Sequence, residues 1–180
     1  DSFVITVITS VVNILTTLIA IALIDKIGRK PLLLIGSTGM AVSLVTMAVI
    51  FGTAGVGADG KPFLDGAAGP IALIAANVFV IAFGMSWGPV VWVLLGEMFP
   101  NRIRAAALGL AAAGQWAANW AITVSFPGLR NHLGLAYGFY GLCAILSFIF
   151  VWRWVQETKG VSLEDMHGQV LAAKRAASTG

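Results

Sequence analysis

Gln115, Trp116 and Asn119 stand together in AAGQWAANW, and Trp92 stands in GPVVWVLL just after Gly88-Pro89. An amide carries donors and an acceptor in one side chain, which suits a solute rich in hydroxyls. An indole adds a flat apolar face and one N–H. Pro89 removes a backbone donor and clashes with the carbonyl four residues back, so it breaks or bends the helix that holds Trp92. Amides and indoles beside a proline break, at membrane depth, are suited to binding a polar solute. The competing reading is interhelical glue, for buried amides in membrane helices bond to neighbours for roughly 0.6–2 kcal/mol. Residue type alone leaves the two open.

A second group is charged. Glu97 lies seven residues before Arg104, and Asp25 and Arg29 sit in the turn DKIGRKP. Snorkelling side chains at helix ends would explain them; an ion-pair cluster joined by Glu157, latching those ends together, is the sharper alternative. Gly84 to Gly88 also spells G-x-S-x-G, the nucleophile elbow of hydrolases. That motif requires a preceding strand and a histidine partner. Here it falls inside an apolar run, with His132 and His167 in loop and tail. The sequence holds no metal-ligand cluster and no phosphate loop. An enzyme, a metal site and a cofactor are therefore not expected.

The elements that position these residues are apolar. Of 180 residues, 58% are hydrophobic and 11% are charged, with a mean hydropathy of +0.91. Soluble domains carry about 25% charged residues. Apolar runs of about 18 or more residues read as membrane spans, and five are expected: residues 3–24, 32–51, 70–98, 105–126 and 133–154. Pro127-Gly128 is expected to end the fourth. The first would be roughly 33 Å long and the third roughly 43 Å, at about 1.5 Å per residue; a hydrocarbon core of about 30 Å then demands tilt or a kink in the third. Thr6, Thr9, Ser10, Asn13, Thr16 and Thr17 share one face of the first span, which should turn from lipid. Pro31 suits the first position of the second helix. Gly52 to Gly69 reads as an exposed, mobile loop, and Ser162 with Asp165 fits a capping box in the tail. Gly84/Gly88 and Gly134/Gly138 fit close helix packing.

Alternating loops put Lys26, Arg29, Lys30, Arg102, Arg104, Arg153, Lys159, Lys174 and Arg175 on one side, against Lys61 and Arg130 on the other. By the positive-inside rule the N-terminus is outside and the tail cytoplasmic. The net charge of +3 thus belongs to loops beside lipid headgroups, and no nucleic-acid surface is expected. The lone Cys143 excludes a disulfide framework. An opening Asp1 and an odd number of spans suggest a piece of something longer.

Four motifs in order carry a family resemblance. DKIGRKPL resembles the D-R-x-G-R-[RK] turn of the major facilitator superfamily; GPVVWVLLGEMFPNRIRAAALG resembles the G-P-x-x-W…E-x-x-P-x-x-x-R segment of its sugar porters; AAGQWAANW and QETKGVSLEDM complete the set. The tail motif departs in one place, with Gln156 where the family has Pro. The resemblance implies an all-α polytopic membrane bundle corresponding to the eighth to twelfth helices of a twelve-helix carrier, over residues 1–159, with residues 160–180 as cytoplasmic tail. It implies a cell-membrane transporter of pentose or hexose working by alternating access, secondary-active by sugar–proton symport or else facilitative, partnered by the lipid bilayer and by the missing N-terminal helices. It makes Gln115, Trp116, Trp92 and Asn13 sugar-lining, Asn119 a further contact, Gly88-Pro89 a hinge, and Asp25, Arg29, Glu97, Arg104 and Glu157 a cytoplasmic latch. In such symporters the proton-linked acid lies in the first helix, outside this match. The alternatives are a polyol carrier of the inositol type and a five-span scaffold without transport of its own.

Overall fold

The computed structural model describes residues 2–56, 62–129 and 132–160, and for residues 2–6, 8, 9, 56 and 62 the backbone alone. In chain order it holds α1 (Ser2–Ile27), α2 (Arg29–Thr53), β1 (Gly55–Val56), β2 (Pro62–Phe63), α3 (Ala68–Met85), α4 (Val90–Met98), α5 (Asn101–Leu129) and α6 (Leu133–Trp154). Among the described residues the fold is all-helical apart from a two-residue antiparallel ladder, Gly55 opposite Phe63 and Val56 opposite Pro62. That ladder gives the described ends of the Gly-rich connection a structure its composition did not predict. The capping box at Ser162 and Asp165 lies outside the described residues.

Among the described residues, four stretches are long and apolar enough to cross a membrane: 10–27, 29–53, 68–98 and 133–154. The helix α5 is not among them. It has the length, 29 residues or roughly 43 Å, but Gln115, Asn119 and a run of Ala and Gly lower its hydropathy. Two boundaries differ from the sequence expectation. Pro31 is the third residue of α2, not the first; N–H groups throughout the first turn lack intrahelical partners, so its missing donor costs nothing there. Pro127 lies inside α5, which runs on to Leu129.

The third apolar run breaks where Pro89 requires it. Helix α3 stops at Met85 and α4 starts at Val90. Across the break the N–H of Gly88 bonds Phe83 O at 2.9 Å, five residues back, and that of Val90 bonds Ser86 O at 2.8 Å. The backbone is thus re-satisfied around a residue with no donor, as a helix in lipid must arrange.

Helix α2 is central, packed on α6 and α3, with α1 against α3. Lipid tails are as apolar as leucine, so helices adhere here by close contact. Small residues permit it. A methyl on Gly134 would sit 2.6 Å from Gly52 Cα, and one on Gly36 would collide with the Ser86 side chain. Two apolar clusters result. One joins Ile24, Leu32, Leu33, Val90, Leu94 and Val151 at the charged ends; the other joins Met40, Leu44, Met47, Ala75, Ala82 and Ala144. Large side chains such as Leu110, Leu135 and Trp152 face outward, a surface that would aggregate in water and is ordinary in lipid.

Candidate functional site: a cavity at the helix break

The break between α3 and α4 forms one wall of a cavity of about 480 Å³, and α5 forms the other. Phe83, Trp87, Gly88, Val91, Trp92 and Leu95 line the first wall, with Ala111, Gln115 and Asn119 on the second. Gln115 and Asn119 are four apart and therefore share a helix face. Their amides and the Trp92 indole form no hydrogen bond among the described residues. The site thus pairs aromatic faces with uncommitted amide donors and acceptors, which is what a hydroxylated, partly apolar solute requires.

Two sequence candidates stand elsewhere. Trp116 is 71% exposed and absent from the cavity lining, since one residue of helix turns it about 100° from Gln115. Asn13 lies with Ser10, Ile14, Thr17 and Leu18 in a separate recess on α1, of about 410 Å³. Its distance from the cavity is small: a methyl on Gly84, next to the cavity residue Phe83, would sit 3.7 Å from Asn13 Oδ1 and 2.8 Å from Thr16 Oγ1. The polar face of α1 thus turns partly inward. Thr16 is buried against α3 and bonds Val12 O at 2.7 Å. Phe83 and Trp87 line the cavity without having been singled out for it; their spacing from Trp92 around a helix break could not be read as one face from periodicity.

Ser86 at the centre of G-x-S-x-G follows a helix, not a strand. It is fully buried, and its Oγ donates to Ala82 O at 2.6 Å. This hydroxyl is committed to its own helix.

Below the cavity the charged ends meet. Arg29 donates from Nε to Glu97 Oε2 at 2.9 Å and from Nη2 to Oε1 at 2.7 Å. Its Nη1 reaches Asp25 Oδ1 at 3.0 Å. Thr158 Oγ1 donates to Glu97 Oε2 at 2.6 Å, and Lys159 Nζ donates to Lys26 O at 2.6 Å. Glu157 forms no ion pair among the described residues. Its carboxylate accepts the N–H of Arg29 at 2.9 Å and of Lys30 at 3.0 Å, capping the N-terminus of α2 where the helix dipole favours an anion. Burial pushes this carboxyl up; the N–H groups of Lys159, Arg29, Lys30 and Thr158 outweigh that and hold it below its ordinary value. Arg104 does not join the cluster. Its Nε donates to Phe99 O at 3.2 Å, and its buried Nη2 has no partner among the described residues. Adjacent Gln156 is exposed while Glu157 turns inward, so the missing proline does not displace the acid.

Known proteins share this arrangement of helices. A family model described as "Sugar (and other) transporter" matches residues 1–169. The chain is 58% identical over 167 residues to a glucose transport protein of Synechocystis sp., covering 92% of this chain and 36% of that protein. It is 41% identical over 169 residues to the D-xylose-proton symporter of Escherichia coli K12, covering 89% and 32%. Its fold matches the major facilitator superfamily proton:xylose symporter bound to 6-bromo-6-deoxy-D-glucose with a TM-score of 0.77 and 39% identity, over 91% of this chain and 34% of that one. An inward open xylose transporter from E. coli matches at a TM-score of 0.77 and 41% identity, over 91% and 35%. The chain spans about a third of the length of each of these relatives. With the match running through all six helices, the chain belongs to the sugar transporter family of the major facilitator superfamily.

Proposed function

We propose that this chain forms the C-terminal bundle of a monosaccharide carrier that works by alternating access, with its lysine- and arginine-rich helix ends on the cytoplasmic side. The observation that carries the reading is the cavity between α4 and α5, where Gln115, Asn119 and Trp92 present uncommitted polar groups beside aromatic rings. A pyranose meets such a site with its hydroxyls on the amides and its C–H face on an indole. The second bundle would close over the open side of the cavity and over the Asn13 recess on α1. Glucose and xylose appear in the names of the relatives, so a pentose or hexose is the solute class. No acid lines the cavity among the described residues, and in this reading the proton-linked group of a symporter belongs to the complementary bundle.

Uptake of labelled xylose and glucose by the full-length carrier in liposomes tests this, with and without an inward proton gradient and with inositol as competitor. Saturable sugar uptake driven by the gradient is expected. Uptake of inositol in preference to both sugars would reassign the solute, and no uptake of any of the three would overturn the proposal.

A further inference from the structure

We propose that Trp87 is the positioning residue of the cavity, a fixed indole that holds the wall at the helix break by its bond to Ser37. The inference rests on the reading of the cavity as the monosaccharide site. Trp87 lies in the break itself and lines the cavity. Its Nε1–H donates to Ser37 Oγ at 2.8 Å, and Ser37 is fully buried. Ser147 Oγ gives its proton to Ala144 O at 2.7 Å and lies 3.3 Å from the Ser37 hydroxyl, which can donate to it. One short chain of polar groups therefore ties the break to α2 and α6. The ring also packs against both apolar clusters. One residue before it, Ser86 is pressed against Gly36, the neighbour of Ser37 in α2, with no room for a methyl between them.

Trp87 is half-buried while Ser37 is fully buried, so breaking the bond leaves a polar group of α2 without this partner in an apolar setting. Trp92 is the contrast. It lines the same cavity, is 36% exposed, and forms no hydrogen bond among the described residues. The two indoles divide the work: Trp87 is a rigid wall, and Trp92 is free to turn onto a ligand. Releasing Trp87 should loosen the geometry that Phe83 and Gly88 present to the sugar while leaving the charged latch untouched.

The test is xylose transport by the full-length carrier bearing Trp87→Phe, Ser37→Ala, the pair together, and Gln115→Ala as reference. Each of the first two should raise KM about three- to tenfold, the effect of one stranded hydrogen bond, with the maximal rate per inserted transporter unchanged. The double variant should be no worse than either single one, because both remove the same bond. A purely structural role would lower the amount of active protein and leave KM alone. If Gln115→Ala raises KM while Trp87→Phe and Ser37→Ala do not, or if their effects add, Trp87 is only packing and the inference falls by itself. If Gln115→Ala is also silent, the cavity is not the sugar site and both readings fall.

Discussion

Arg29 holds Glu97 in a fork, with Nε on one carboxylate oxygen at 2.9 Å and Nη2 on the other at 2.7 Å. The pair fastens the start of α2 to the end of α4. Thr158 adds the segment after α6 to the same carboxylate. The arginine side chain is only 12% exposed and Glu97 33%, whereas Asp25, the other partner, is 77% exposed. Screening makes the Asp25 pair worth little, so Glu97 carries the contact. Such a bond biases a two-state equilibrium when only one state makes it, and a carrier that parts these helix ends must break it.

Arg29→Ala should therefore shift the full-length carrier toward the state open at this end. Hydrogen bonds to charged groups contribute about 1.5–3 kcal/mol, a population shift of roughly tenfold or more. The measurement is alkylation of a cysteine placed at Leu95 on the cavity wall, in a Cys143→Ser background, from the lysine-rich side. Glu97→Gln should act similarly, and combining the two should add little. Unchanged alkylation in both would show that the fork does not report the state.

Glu157 predicts a pH dependence with a definite sign. Its folded carboxyl lies below the ordinary value of 4.5. The cap on α2 is thus fully present above that ordinary value and is lost as pH falls through the lower folded one. Melting in detergent should lose stability between neutral and strongly acid pH, and Glu157→Gln should flatten that part of the profile. A variant with the same acid slope as the parent would assign the effect to other carboxylates.

Much of this was legible in the sequence because lipid simplifies the problem. The ends of α6 follow from an apolar run bounded by His132 and by the polar tail, and the break before Val90 follows from the covalent geometry of Pro89. The pairing of Gln115 and Asn119 with Trp92 in one cavity joins an i, i+4 face to the residue after the break. What escaped is tertiary. Trp116 is adjacent to Gln115 in sequence and a quarter-turn away in space. Arg104 shares an end with Glu97 without touching it, for Arg29 has already taken both oxygens. Glu157 looked like a member of an ion-pair cluster, yet it binds backbone N–H groups, a partnership that no pattern of charges reveals. Trp87 found Ser37 across fifty residues of chain, which spacing along one helix cannot indicate.

Gly28 makes the shortest of the inter-helix turns possible. Its φ of 106° lies where side chains are strained, and a methyl there would stand 2.5 Å from Glu157 Oε2. Gly28→Ala should destabilise by about 1–3 kcal/mol, the usual cost of forcing a side chain into such a conformation. Thermal melting checks it. Because the backbone strain is independent of the carboxylate, Glu157→Ala should not restore the lost stability; full restoration would place the whole effect in the clash.

The two neighbouring positions of α5 give the sharpest test of the cavity. Gln115 lines it and Trp116 does not, so their substitution should separate. Gln115→Ala should weaken sugar binding by about tenfold or more, since a buried partner left unsatisfied costs about 1–3 kcal/mol. Trp116→Phe should change affinity by less than about twofold. The two indoles should separate optically as well: sugar binding to the full-length carrier should alter the emission of Trp92, on the wall, and leave that of Trp116 unaltered. Emission and affinity are measured together by titration of the parent, Trp92→Phe and Trp116→Phe. The expected result is that Trp92→Phe removes the sugar-dependent signal and Trp116→Phe preserves it. The reverse would mean that α5 turns its other face to the solute when the second bundle is in place, which would move the binding surface from the break at Pro89 to the outward side of α5.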